Sequence, residues 1–133
     1  SMQKLPKNRV EEVVDLVSIH SFVKRKVETY SLGMKQSLLI AMALLNNPKL
    51  MILDEPFNGL DPSRIVQTRR ILLDHARKGA AILLSSHNLM EMEKLTKEFL
   101  FLKDGKIIEY REEEGERRAE EYYLKLFPLL SES

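Results

Sequence analysis

The stretch Lys49-Leu50-Met51-Ile52-Leu53-Asp54-Glu55-Pro56 decides how this chain is read: a run of large apolar residues that ends abruptly in two carboxylates. Asn46-Asn47-Pro48 bound it in front and Pro56 closes it behind. The four apolar residues therefore read as a strand buried on both faces, as in a parallel sheet. Such a strand presents its polar residues at its carboxyl end, where open α/β sheets place their ligands. Asp54 and Glu55 would then stand at a crevice with hard-metal and general-base chemistry available. An acidic surface turn is the competing meaning of the octapeptide alone.

The neighbours extend the pattern. Upstream, Tyr30-Ser31-Leu32-Gly33-Met34-Lys35-Gln36 opens a helix that runs straight into the strand. Ser31 sits where an N-cap belongs, ahead of Leu38, Leu39, Ala41, Met42 and Leu45 on an apolar face. A helix N-terminus offers unpaired N–H groups and the positive end of a dipole to an anion, and Gly33 lets backbone come close to a ligand. Downstream, Pro56 and Gly59 form a loop, and Asp61-Pro62 reads as the N-cap and first residue of the next helix. That helix runs to Lys78 with Ile65, Leu72, Leu73 and Ala76 at helix spacing, and Gly79 ends it. Ala80 to Leu84 is a second apolar strand, and it delivers Ser85, Ser86 and His87.

This ordered series resembles the second half of the nucleotide-binding domain of ATP-binding cassette (ABC) ATPases, over about Val27 to Tyr110. Four motifs match in order: the signature motif, Walker B with its glutamate, the D-loop and the H-loop. The resemblance implies an α/β fold: a partial P-loop NTPase sheet of the RecA-like cassette type, flanked by helices, with part of the helical subdomain. It divides the chain into 1–46, a helical portion ending in the signature helix; 47–110, the second half of the catalytic core; and 111–133, a C-terminal helix. It makes Glu55 and His87 the catalytic residues, Asp54 the Mg²⁺ residue, and Ser31, Gly33 and Asp61 the nucleotide-binding residues. Glu55 would polarise the attacking water, His87 would contact the γ-phosphate, and Glu55 and His87 would share one rim. Three positions depart from the pattern: Leu32 where Gly is commonest, Met34 where Gln is, and Phe57 where a small hydroxyl residue is usual.

Composition sets the outer limits. A chain of 133 residues with 44% hydrophobic content can bury one sizeable core. A net charge of +1 gives no general pull toward nucleic acid or acidic membranes. No cysteine is present, so a disulfide framework and a zinc–thiolate site are both excluded. The longest apolar run, Leu38 to Leu45, is far short of the roughly 20 residues of a membrane span. Ser1-Met2 resembles a tag-cleavage scar before an internal start, so an excised piece is expected.

Elsewhere the reading is local. Arg9 to Ile19 is helical by the spacing of Val10, Val13, Val14 and Val17, with Asn8 and Glu11 as a capping box. Lys24-Arg25-Lys26 reads as a solvated face, and His75 as a packing or solvated residue. Leu89 to Lys97 is helical, capped by Asn88 or Ser86. Phe99-Leu100-Phe101-Leu102 and Ile107-Ile108 form a hairpin around Asp104-Gly105. Ala119, Tyr122, Tyr123 and Leu126 mark a final amphipathic helix that Pro128 stops.

None of the five glycines begins a G-x-x-x-x-G-K-[ST] phosphate loop. By the resemblance, the chain is expected to bind ATP and Mg²⁺ weakly and to hydrolyse ATP negligibly by itself, while the intact protein is an ATPase. The phosphate-loop strand would lie between the Ala80–Leu84 and Phe99–Leu102 strands, so an exposed sheet edge is expected, healed by direct pairing of those strands or by self-association. The preferred function is the energy-coupling subunit of an ABC transporter. Its partners would be a second nucleotide-binding subunit and a membrane permease, with no nucleic acid, at the cytoplasmic face of the cell membrane. The alternatives are a cassette ATPase of DNA repair or translation, and a truncated non-catalytic partner-binding module.

Overall fold

The computed structural model describes residues 5–129, so Ser1 and Met2 lie outside the described residues. The described residues form two compact units that divide between Ser86 and His87.

The first unit holds helices α1 (Arg9–Val17), α2 (Leu32–Leu44) and α3 (Pro62–Arg77), a short 3₁₀ turn at Val27–Thr29, and strands β1 (Leu50–Asp54) and β2 (Ala81–Ser85). β1 and β2 pair in parallel, from Leu50 opposite Ala81 to Asp54 opposite Ser85. Backbone bonds extend the ladder at both ends, from Ala81 N–H to Lys49 O (2.8 Å) and from Glu55 N–H to Ser85 O (3.1 Å). Val13, Val14 and Val17 of α1, Ile40, Ala41 and Leu44 of α2, Ile71 and Leu72 of α3, and Met51 of β1 are all buried. Phe22 and Tyr30 pack edge to face at 5.0 Å, and the Tyr30 hydroxyl donates to Phe22 O at 2.8 Å.

Long polar side chains close the helix ends, where backbone carbonyls lack partners within the helix. Arg9 of α1 donates to Leu44 O (2.7 Å) and Leu45 O (3.1 Å) at the end of α2. Arg64 of α3 donates to Val17 O (3.0 Å) and Ser18 O (3.2 Å) at the end of α1. Ser18 is left-handed there, at φ 57°. His75 Nε2 donates to Pro48 O at 2.7 Å, tying α3 to the loop before β1, so this histidine is structural. Lys24, Arg25 and Lys26 are exposed.

The second unit holds α4 (Leu89–Leu95), the antiparallel hairpin β3 (Glu98–Lys103) and β4 (Lys106–Arg111), and α5 (Ala119–Leu126). Asp104 (φ 51°) and Gly105 (φ 73°) make its turn, as the Asp-Gly pair requires. Phe99, Phe101 and Ala119 form its core, with Leu89, Met92, Ile108, Tyr110, Tyr122 and Leu126 packed around them. Asn88 caps α4 by accepting from Glu91 N–H at 3.2 Å. The stretch from Glu112 to Arg118 is not helical; instead buried Glu112 accepts from Arg118 N–H and Ala119 N–H, both at 2.8 Å, and so closes the start of α5.

Four local expectations are corrected. β1 is covered on one face alone: Met51 is 3% exposed, whereas Leu50 and Ile52 are 58% and 72% exposed, with Leu83 of β2 beside them at 52%. A parallel ladder with cover on one side must turn alternate side chains outward. The buried face of α2 is Ser37, Ile40, Ala41 and Leu44, while Leu39 and Met42 are exposed. Its unbroken apolar run from Leu38 to Leu45 carries no period that could have chosen the face. Val10 and Ala76 are exposed, the packing faces of α1 and α3 being centred on Val13/Val17 and on Thr68, Ile71 and Leu72. Asn8 makes no cap bond; it has helical backbone angles and donates to Glu12 Oε1 at 3.0 Å.

Leu72, 1% exposed, sets the stability expectation for α3. Leu72→Ala is expected to lower unfolding free energy by about 2–5 kcal/mol. Ala76→Lys, on the exposed side, is expected to change it by less than about 0.5 kcal/mol. Urea unfolding followed by circular dichroism checks both.

Candidate functional site

The carboxyl end of β1 is where the sequence concentrates its chemistry. Asp54 closes the strand, and the Ser85 hydroxyl of β2 donates to its Oδ1 at 2.5 Å. The register that puts Ser85 opposite Asp54 makes this bond, so the pairing of two strands orients the carboxylate.

Glu55 then leaves the strand in a left-handed conformation, φ 47°. Residues with a Cβ seldom adopt it, and outside glycine it marks a backbone held by its surroundings. The holding groups are identifiable. Glu55 N–H is shared between Ser85 O (3.1 Å) and Ser85 Oγ (3.2 Å), and Glu55 O accepts from Asn58 N–H (3.1 Å) and Gln36 Nε2 (3.0 Å). Glu55 therefore leaves the strand through this backbone turn, and strand alternation does not govern its position relative to Asp54.

The α2 N-terminus has the expected cap. Ser31 has extended backbone, its hydroxyl accepts from Met34 N–H at 3.2 Å, and Ser31 N–H points back to Met34 Sδ at 3.4 Å. Met34 thus takes the reciprocal place in the capping box with a thioether, a weak acceptor where an amide or carboxylate is customary. Leu32 has a partner as well. Gly59 (φ 77°) lies so close that a Cβ there would come within 2.6 Å of the Leu32 side chain. A Cβ on Gly33 would come within 2.7 Å of Gly59 O. The start of α2 and the 58–60 loop are in tight contact, which glycine permits at both positions. Phe57, just before this loop, is buried at 8% exposure, a core residue of the first unit.

Asp61 caps α3, accepting from Arg64 N–H at 2.9 Å and from the Ser63 hydroxyl at 2.7 Å. These bonds, the Ser63 hydroxyl first, hold its carboxyl below the usual range. The stabilisation is present above the unfolded pKa and is lost as pH falls through the folded one. His87 follows β2 by two residues and opens the second unit. Sequence reasoning left Ser85 and Gln36 without roles. The strand register picks out the first; no sequence signal picks out the second.

Comparison with known proteins bears on this geometry. A family profile described as "AAA domain, putative AbiEii toxin, Type IV TA system" matches residues 9–93. The lantibiotic transport ATP-binding protein SrtF of Streptococcus pyogenes is 41% identical over 123 residues, covering 92% of this chain and 54% of SrtF. The bacitracin transport ATP-binding protein BcrA of Bacillus licheniformis is 44% identical over 104 residues, 77% of this chain and 34% of BcrA. A solved ATP-binding subunit of an ABC transporter superposes with a TM-score of 0.80 at 29% identity, over 92% of this chain and 56% of that one. The chain belongs to this AAA-type family and is part of an ABC ATP-binding cassette. It spans about half the length of the curated relative SrtF.

ABC cassettes use nucleotide and Mg²⁺, and the residues present fit a share of that requirement. One carboxylate oriented by a hydroxyl suits Mg²⁺, which favours few carboxylates together with water and phosphate oxygens. Among the described residues no group of three or more His, Cys, Asp or Glu forms a protein-only metal cage.

The contact between α2 and the 58–60 loop can be tested at Gly33. Alanine within a helix ordinarily gains up to about 1 kcal/mol over glycine. Here the added Cβ meets a backbone carbonyl, and displacement typically costs about 1–3 kcal/mol. Gly33→Ala is therefore expected to lower the urea midpoint; a raised midpoint would show that the contact is loose.

Proposed function

We propose that the chain is the C-terminal half of the ATP-hydrolysing, energy-coupling subunit of an ABC transporter, organised as a helical portion (1–46), half of the catalytic core (47–110) and a C-terminal helix (111–133). The observation that carries the reading is the held exit from β1, where one residue, Ser85, bonds both the Asp54 carboxylate and the Glu55 backbone amide.

In this reading Asp54 would hold Mg²⁺, which would supply positive charge against the phosphate oxygens. Glu55 orients a water for in-line attack on the terminal phosphorus and takes its proton, while the bond to the bridging oxygen breaks and ADP leaves with the electron pair. Ser31 and the amides around Gly33, at the positive end of α2, receive the γ-phosphate of a nucleotide held by a second nucleotide-binding subunit. Ser31 Oγ accepts from Met34 N–H, which leaves its own proton for a phosphate oxygen. His87 contacts the γ-phosphate, and Asp61 links the two halves of the dimer.

A membrane permease is the proposed second partner, and it sets the cargo and the place of work at the cytoplasmic face of the membrane. Among the described residues no helix is long and apolar enough to cross a membrane. A copy lacking the phosphate loop has the exposed Leu50, Ile52 and Leu83 side chains for self-association.

The experiment is ATP hydrolysis by the full-length protein. It is expected to turn over ATP, and Glu55→Gln is expected to lower kcat by about 10²-fold or more. The 133-residue chain alone is expected to show negligible turnover. Hydrolysis by the isolated chain at the full-length rate, or an active Glu55→Gln protein, would refute the proposal.

A further inference from the structure

Gln36 lies on α2 a turn and a half beyond Ser31, and its side-chain amide reaches across 19 positions of sequence to the backbone of Glu55. The Nε2···O distance is 3.0 Å and the bond is partly buried. Its acceptor is the carbonyl of the residue with φ 47°. The peptide on the amino side of Glu55 is fixed by Ser85 O and Ser85 Oγ, and the peptide on its carboxyl side by Asn58 N–H and Gln36. Fixing both peptide planes fixes the direction of the Glu55 Cα–Cβ bond. Three parts of the first unit thus set the aim of one carboxylate, and Gln36 brings in the helix whose N-terminus carries Ser31 and Gly33.

We propose that Gln36 is a positioning residue for the hydrolysis reaction: it ties the aim of Glu55 to the placement of α2, so that anion engagement at Ser31 and Gly33 and alignment of the Glu55 carboxylate are set by one rigid helix. The inference rests on the reading of Glu55 as the group that orients the attacking water. Without the Gln36 bond, Glu55 loses one restraint on its left-handed backbone and its carboxylate swings off the line of attack. Small displacements of a positioned catalytic group reduce rate steeply. Nucleotide affinity, which other groups supply, stays.

The test is steady-state ATP hydrolysis by the full-length protein carrying Gln36→Leu, Gln36→Glu or Glu55→Gln, with thermal unfolding recorded for each. Gln36→Glu keeps the shape of the side chain but, when ionised, presents an acceptor to a carbonyl; when protonated it can donate again. Both position-36 variants are expected to lower kcat by about tenfold or more at pH 8 with the KM for ATP within about twofold of the parent. Should Gln36→Leu fail to fold, the isosteric Gln36→Glu carries the test through its separate effects on kcat and KM. Position-36 variants with kcat within about twofold of the parent, beside an inactive Glu55→Gln protein, would overturn the inference and leave the proposed function standing. An inactive parent, or an active Glu55→Gln protein, would overturn the proposed function and this inference with it.

Discussion

The constraint on which the first unit depends is the parallel register of β1 and β2, locked at its carboxyl end by one side chain. Ser85 meets Asp54 with its hydroxyl proton and Glu55 N–H with its lone pairs and its carbonyl. Slip by one residue would put Leu84 or Ser86 opposite Asp54 and reverse the faces of the apolar side chains in the strand. The register therefore sets both the packing of Met51 and the orientation of the two carboxylates. Stability and chemistry meet in the same five residue pairs.

Around that ladder, the helices are fixed chiefly by groups that satisfy one another's ends. Arg9 closes α2, Arg64 closes α1, and Asp61 and Ser31 open α3 and α2. Each such bond joins segments far apart in sequence or fixes where a helix begins, so the small set of buried apolar residues needs to specify less. The second unit uses the same device, at greater burial, at the start of α5: the Glu112 carboxylate receives two backbone N–H groups there and lies 3.4 Å from Lys97 Nζ. A buried carboxylate is tolerated there because its oxygens are hydrogen-bonded and a cation is adjacent.

What the sequence made legible was local. The Ser31, Asp61 and Asn88 caps, the Asp104-Gly105 turn and the stop at Gly79 need only neighbours within four residues, and the structure has each of them. What it hid depends on distant partners. The one-sided cover of β1 follows from which layers surround it, and the left-handed turn at Glu55 follows from a hydroxyl 30 positions away. The face of α2 was hidden for a different reason, since eight consecutive apolar residues offer no contrast between sides. Asn8 and Glu11 had the capping-box residue types, yet helical backbone angles at Asn8 removed the geometry that the cap requires. The motif order made the family legible, and the departures at Leu32, Met34 and Phe57 turned out to be packing and capping residues of this chain.

The central claim is that Ser85 holds the turn at Glu55, and amide hydrogen exchange of the described chain, resolved by residue, tests it most directly. The Glu55 amide is expected to exchange with the slow amides of the β1–β2 ladder, and Ser85→Ala is expected to speed Glu55 exchange more than that of Ile52 or Leu83. A Glu55 amide that exchanges as fast as an unstructured loop, or one indifferent to Ser85→Ala while the rest of the ladder stays protected, would contradict the account.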